Sequence, residues 1–356
     1  MSSNPKLSFS VGVAETTNSP HRRTMEDVHT YVANFAERLD WGYFGVFDGH
    51  AGVGVSRWCG AHLHELLYDT MLKNPTEDFR DTLNICFLQA DKIIAKEVKQ
   101  GGSTAAVAVL RWEEELIDEE GVMTPSTAMP VVPDAIINEK ENNDDGYTTT
   151  TTTTNNNNNN TTDNEIDNKD DSNNYNEHSG NNKITHNNKQ KESKFDFIPT
   201  SKHKRMLYTA NVGDAKLVLG RAGKALCLSY EHKGTDKPEI KRIYRKGGLV
   251  LGGRVNGVLA VTRSLGDTYL KDYVIGAPYT TCTEITKDDE FLIIACDGLW
   301  DVCSDDKAVE LVKQVIVAGG GSKKASKTLM EYAVKNGTMD NVTVMVIILK
   351  MPPVED

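Results

Sequence analysis

Phe44-Gly-Val-Phe-Asp48-Gly49-His50 ends an apolar run on an acid, a glycine and a histidine, and Phe291-Leu-Ile-Ile-Ala-Cys-Asp297-Gly298 repeats the design much later in the chain. A short, continuous apolar run closed by such residues reads as a buried strand. Residues 42–47 and 291–295 are therefore predicted strands, each delivering a carboxylate at its end. Further strand-like runs cover 8–14, 216–220, 249–251, 258–262 and 342–349. Asn256-Gly257, between two of them, is a hairpin-turn signal. Helical patterns cover 55–72, with Val55, Trp58, Cys59, Leu63, Leu66 and Leu67 on one face, and 77–98. A third spans 238–246, with a proline in its first turn and Gly247 after its last. A fourth follows the N-cap Ser304 and the acids Asp305 and Asp306, and a fifth runs over 322–336 to Gly337. Strands dominate both ends, helices come in adjacent pairs, and strict strand–helix alternation is absent. The pattern predicts an α+β chain of antiparallel sheets covered by helices, not a doubly wound parallel sheet.

One stretch stands apart. Residues 113–204 contain seven threonines from Thr148 to Thr154, then six asparagines from Asn155 to Asn160, and almost no large apolar residues. Such a sequence cannot offset the entropy of ordering and is expected to be disordered. The apolar runs 104–110 and 206–212 flank it. If they pair as neighbours, the segment is the loop of a long hairpin, which a fold tolerates at low cost. The expected organisation is one discontinuous domain, 1–112 and 205–350, with a Thr/Asn-rich acidic insert at 113–204 and a tail at 351–356.

The charge belongs to that insert. It holds 19 acidic and 8 basic residues, an excess of 11 that equals the excess of the whole chain, 51 against 40. The remainder is neutral and carries no basic stripe, which argues against nucleic acid as a partner. Six cysteines lie scattered without a CxxC pair and read as small core residues of a reduced compartment. The first residues lack the blocks of a signal peptide, no run reaches the ~18 apolar residues of a membrane span, and neither lipidation motif is met. A protein of the cytoplasm is expected, with nuclear entry left open by the small basic cluster at Lys202, Lys204 and Arg205.

Acidic residues recur where strands end. Asp48 and Asp297 follow apolar runs, Asp340 precedes the last one, Glu26 and Asp27 lie between the first strand and the next, and Asp214 closes the run at 206–212. One strand-end acid is ordinarily a turn residue. A convergent set repels itself and raises its own pKa values unless cations share it. All-oxygen donors without a Cys or His cluster suit Mg²⁺ or Mn²⁺ over zinc, and no EF-hand spacing is present.

The motifs Arg22-Arg-Thr-Met-Glu26-Asp27, Val46-Phe-Asp48-Gly49-His50-Ala-Gly52, Gly102-Ser-Thr104, Asn211-Val-Gly-Asp214, Leu259-Ala-Val-Thr-Arg263-Ser-Leu-Gly-Asp267, Ala295-Cys-Asp297-Gly-Leu-Trp300-Asp301 and Asp340-Asn-Val-Thr343 resemble, in order, the signature series of the type 2C metal-dependent protein serine/threonine phosphatases. The resemblance covers about 7–349 outside the insert and extends to fungal members that dampen stress-responsive kinase cascades. It implies a central β-sandwich flanked by helical layers, with metals at one edge. It further implies that Asp48 bridges two ions, that Asp297 and Asp340 complete one shell, and that Glu26 and the Gly49 carbonyl serve the other. Asp27 would orient ligands from behind. Asp214 and Asp301, with Asp297, would match a weaker third site.

By the same resemblance Arg22 would clamp the phosphate bidentately, with Arg23 as its rival, and His50 would protonate the departing serine or threonine oxygen. Two metals can activate water and stabilise in-line displacement. Gly102-Ser103-Thr104, the Arg263 to Asp267 stretch and Trp300 read as structural. Phosphorylated proteins, among them MAP kinases or their upstream kinases, are the implied partners of a monomeric enzyme. A two-metal nuclease, a metal-dead binding module and a scaffold organised by the insert are the competing readings.

Overall fold

The structure, a computed structural model, describes residues 7–75, 77–117, 123–126 and 199–351. In chain order the elements of the first part are β1 (Phe9–Thr16), β2 (Val28–Ala33), β3 (Gly42–Phe47), β4 (Gly49–His50), α1 (Gly54–Lys73), α2 (Phe79–Glu97), β5 (Gly102–Ser103), β6 (Ala105–Ile117) and β7 (Met123–Ser126). Then come β8 (His203–Val212), β9 (Lys216–Arg221), β10 (Lys224–Cys227), α3 (Lys237–Arg245), β11 (Val250–Leu251), β12 (Arg254–Val255), β13 (Leu265–Gly266) and β14 (Tyr279–Glu284). The chain closes with β15 (Asp289–Ala295), α4 (Asp297–Trp300), α5 (Asp305–Val317), α6 (Ser322–Lys335) and β16 (Val342–Leu349).

Two antiparallel sheets, ordered β1-β16-β15-β9-β10 and β14-β8-β6-β3-β2, face each other. The alternation of strand side chains explains why the central strands read as unbroken apolar runs. Phe44 and Val46 of β3 enter the layer between the sheets, where Ile294, Cys296 and Met345 also lie. Their neighbours Tyr43 and Phe47 face outward under α1 and α2, with Cys59, Leu63, Leu83 and Phe87. Phe291, Ile293 and Ala295 of β15 likewise face α5 and α6, against Val309, Val312 and Leu329. Both faces of each sheet are thus covered, and the expected helix–sheet–sheet–helix sandwich is what the residues build.

The caps follow their side chains. Asp78 accepts from the Arg80 amide at 2.8 Å to open α2, Asp236 from the Glu239 amide at 3.0 Å to open α3, and Ser304 from the Lys307 amide to open α5. A Cβ on Gly12 of β1 would sit 2.1 Å from the Ser322 carbonyl carbon, so only glycine lets the first turn of α6 rest on that strand.

β6 and β8 pair from Ala105↔Val212 to Glu114↔His203, so the flanks of the acidic segment do form one long hairpin. The ladder runs further than the sequence suggests. β6 continues to Ile117, where β7 pairs with it, and β8 begins at His203; the segment expected to be disordered therefore starts and ends inside a sheet. Its remainder, 118–122 and 127–198, lies outside the described residues, as does 352–356 of the expected tail.

The expectation for 258–262 needs correction. That stretch forms isolated bridges, Val255↔Leu259 and Lys233↔Val261, and the small hairpin is β11–β12 around Gly252-Gly253. Asn256-Gly257 is the next turn, with both residues at positive φ. Val258 is half exposed there, with no opposing sheet to bury it.

Candidate metal centre

The ends of β3, β8 and β15 and the starts of β2 and β16 meet at one end of the sandwich, and this is where the acids collect. The main chain locks Asp48 in place: its carbonyl accepts from the Thr104 amide at 2.9 Å and the Ser103 hydroxyl at 3.1 Å. Asp297 opens α4 directly after β15. Asn341, at the mouth of β16, ties the remaining loops together. Its side-chain oxygen accepts from the Glu26 amide at 2.9 Å, while its amide nitrogen donates to the carbonyls of Thr17 and Thr24 at 2.9 and 3.0 Å. Asn18 adds a second tie through the Thr338 and Asp340 carbonyls. Asn341 lies in the Asp340-Asn-Val-Thr343 motif, and its place beside an acid just before a strand is the one trace of this role in the sequence.

Electrostatics mark the centre. Burial, then the charges of Asp27, Asp297, Asp214 and Asp340, pushes the Asp48 carboxyl well above its ordinary range. Burial raises Asp297 to about 8, with Asp214, Asp340, Asp301 and Asp27 adding to it. Asp27 and Asp214 rise to about 6, again chiefly through burial. Asp27 Oδ2 and Asp297 Oδ1 are buried without a hydrogen-bond partner. Orphaned anionic oxygens are costly unless a cation meets them. Gly49 brings its backbone close to this group: a Cβ there would lie 2.5 Å from the Glu26 carbonyl oxygen and 2.6 Å from Ser56 Oγ, which itself donates to that carbonyl at 2.6 Å.

The structure thus brings together Asp27, Asp48, Asp214, Asp297 and Asp340, with Glu26 and Gly49 at the rim. Arg22 joins them by donating to Asp340 Oδ2 and to the Met339 carbonyl. Asp301 is differently placed. Its carboxylate is mostly exposed and takes Lys233 Nζ at 3.1 Å, and Glu231 holds the same ammonium at 3.4 Å. His50 lies at the edge with Nε2 2.8 Å from Asp267 Oδ2, so a residue read as structural is its direct partner. Arg263 is confirmed as a fastener: with Arg242 it holds buried Glu239, dropping that acid to about 2 against the opposing effect of burial. Trp300 is a core anchor, donating to the Ala295 carbonyl. Cys296 is buried with its thiol pushed well up by burial, which removes it as a nucleophile.

The sequence profile described as "Protein phosphatase 2C" matches residues 11–117 and 132–342. The chain belongs to the protein phosphatase 2C family. It is 43% identical over 344 residues to "Protein phosphatase 2C homolog 1" of Saccharomyces cerevisiae, covering 96% of this chain and 94% of that one. To the protein of that description from Schizosaccharomyces pombe it is 33% identical, covering 96% of this chain and 74% of that one. Among solved structures, a phosphatase from Toxoplasma gondii superposes with a TM-score of 0.64 at 19% identity over 98% of this chain and 95% of that one, which shows the shared fold. As a type 2C phosphatase the chain is a protein serine/threonine phosphatase, of a family that depends on Mg²⁺ or Mn²⁺.

The donor set fits such an ion. It is all oxygen, two of its carboxylate oxygens have no other partner, and its raised pKa values report crowded, desolvated acids that a counter-charge would relieve. Among the described residues no three His, Cys, Asp or Glu side chains close on one point. Mg²⁺ does not require that, since it keeps several waters and is held through one or two carboxylates.

Proposed function

We propose that this type 2C phosphatase hydrolyses phosphoserine and phosphothreonine in proteins with two divalent cations, held chiefly by Asp48, Asp297, Asp340, Glu26 and the Gly49 carbonyl. The observation that carries the reading is Asp48, partly open at the end of β3 and set in the field of four other aspartates. An evolved carboxylate is not left in that position without a cation to share. When bound, the ions supply charge neutralisation for the phosphate dianion and lower the pKa of the attacking water.

The chain's own residues do the rest. Asp27, buried behind Asp48, Cys296 and Thr343, orients its neighbours. Arg22, half exposed at the rim, turns its guanidinium to the phosphate once Asp340 is engaged elsewhere; Arg23 is bound to no carboxylate among the described residues. His50 supplies the proton to the leaving alkoxide. Asp214 and Asp301 form a third, weaker cation position, for which the ion has to displace Lys233. That displacement is a physical reason for weak affinity there.

As one discontinuous domain, monomeric and cytoplasmic, the protein acts as a negative regulator of kinase signalling, with MAP kinases or their activating kinases among its substrates. The motif series shared with fungal enzymes of that kind supports this assignment. The test is phosphate release from a phosphothreonine peptide with Mn²⁺, then with excess chelator. Metal-dependent release supports the reading. A folded protein that binds Mn²⁺ and releases nothing overturns it, and leaves a binding module.

A further inference from the structure

We propose that Asp267 is a positioning residue for His50, fixing the imidazole so that Nδ1, not Nε2, faces the departing oxygen. The inference rests on His50 being the proton donor of the proposed reaction. Asp267 is fully buried while His50 is partly open to solvent, and their 2.8 Å hydrogen bond commits Nε2 to the protein interior. Nδ1 has no partner among the described residues. The geometry therefore assigns the working proton to Nδ1.

Four features hold this pair. β13, β5 and β4 form a three-stranded ribbon in which Gly266 pairs with Gly102 and Gly102 with His50, bringing the two residues together across 217 positions of sequence. Gly102 has to be glycine, because a Cβ there would lie 2.1 Å from Asp267 Oδ2 and 2.5 Å from His50 Nε2. Ser264 Oγ donates to the same Oδ2 at 2.5 Å, and the Asp267 amide donates to the Gly101 carbonyl at 2.9 Å. Asp267 itself sits at φ 46°, ψ 46°, a left-handed conformation that costs a non-glycine residue energy.

A stability role alone does not account for this arrangement. Asp267 Oδ1 is buried with no partner, so the carboxylate carries a desolvation cost that a neutral residue would avoid. A buried carboxylate behind an imidazole selects the ring's tautomer and orientation. In the step proposed, water forms the new bond to phosphorus, releasing one proton to bulk solvent, as the P–O bond to serine or threonine breaks. The bonding pair goes to the departing oxygen, which takes the Nδ1 proton. The imidazole is left neutral, with its remaining proton on Nε2 and still hydrogen-bonded to Asp267.

Two measurements on the full chain decide this. Nitrogen-detected imidazole spectra of the metal-free protein should show neutral His50 protonated on Nε2, and D267N should lose that preference. With saturating Mn²⁺, D267N should lower kcat on a phosphothreonine peptide about 10²-fold with KM unchanged, and barely affect an activated aryl phosphate that needs no proton. If D267N proves unfolded, S264A, which removes only a hydroxyl from Oδ2, should show the same selectivity in smaller measure. Neutral His50 protonated on Nδ1 in the wild type, or equal losses on both substrates, would overturn the proposal. If instead H50A affects both substrates alike while the Nε2 tautomer is present, the proton-donor reading of His50 has failed, and the positioning of the ring by Asp267 has not.

Discussion

Arg22 and Asp340, 318 residues apart, meet at the rim of the acidic centre in a direct guanidinium–carboxylate pair. The proposed phosphate clamp thus rests on a proposed metal ligand, and a cation bound there would compete with the arginine for one carboxylate. Arg22→Ala should weaken inhibition by inorganic phosphate and raise KM for phosphopeptide by about 10-fold or more, the scale of a lost charge-assisted hydrogen bond. Metal affinity should hold or rise, since a competitor is gone. A fall in Mn²⁺ affinity by calorimetry would show that Arg22 organises the ligands instead.

Asp48 sets function against stability. Replacing it with Asn removes a carboxyl that folding must either protonate or hold charged among repelling neighbours. In metal-free protein near neutral pH, Asp48→Asn should therefore raise Tm, while turnover falls by about 10²–10³-fold or more as for other preorganised charge-stabilising groups. Added Mn²⁺ should stabilise the variant less than the wild type, because ligand-linked stabilisation follows affinity. A variant that loses Tm without metal, or keeps near-normal turnover with it, would remove Asp48 from the centre of the site.

Asp48, Asp297 and Asp340 were legible because each stands beside a strand that is apolar on both faces, after β3, after β15 and before β16. Elements lacking that signal were not. β14 is a threonine-rich edge strand with Tyr279 exposed, so it offers neither an apolar run nor clean alternation. Residues 258–262 have the composition of a strand but form only isolated bridges: Val258 faces solvent beyond two successive turns, while Val261 and Thr262 are buried without a ladder. Asp267 escaped as a partner of His50 for a different reason: only the pairing of β4, β5 and β13 brings the two together, and sequence spacing carries no trace of it. Lys233 escaped likewise, its ammonium reaching Asp301 across 68 positions.

Metal-free stability should fall as pH rises. Asp297 stands at about 8, and Asp27 and Asp214 at about 6, against an unfolded value of about 3.9. A carboxyl with a raised native pKa binds more protons folded than unfolded. Its contribution is fully present below the unfolded value and is lost as pH climbs through the native one. The chelated protein should therefore lose Tm progressively between about pH 4 and pH 8, and saturating Mg²⁺ or Mn²⁺ should flatten the decline. Metal binding near neutrality should also release protons, visible as a buffer-dependent heat. A flat or rising Tm in chelator over that window would mean that the acids are not as crowded as the geometry has them.

At the opposite end of β3 and β8 a second charged group serves stability alone. Asp40 accepts from Arg205 Nη1 at 2.6 Å, Trp112 Nε1 at 2.9 Å and both the amide and hydroxyl of Ser8 at 2.7 and 2.6 Å. Arg205 is almost wholly buried, with its guanidinium 4.7 Å over the Trp112 ring. Asp40→Ala would strand that cation, and breaking a buried pair from one side costs about 3–5 kcal/mol. Denaturant titration should read a loss of that size, while kcat per folded molecule stays unchanged because the catalytic acids lie at the other ends of the same strands. Adding Arg205→Met should recover part of the loss, since the penalty comes from the unpaired charge and not from the missing contact. Recovery without any gain in metal affinity would separate the two charged groups; a matching change in metal affinity would tie them together.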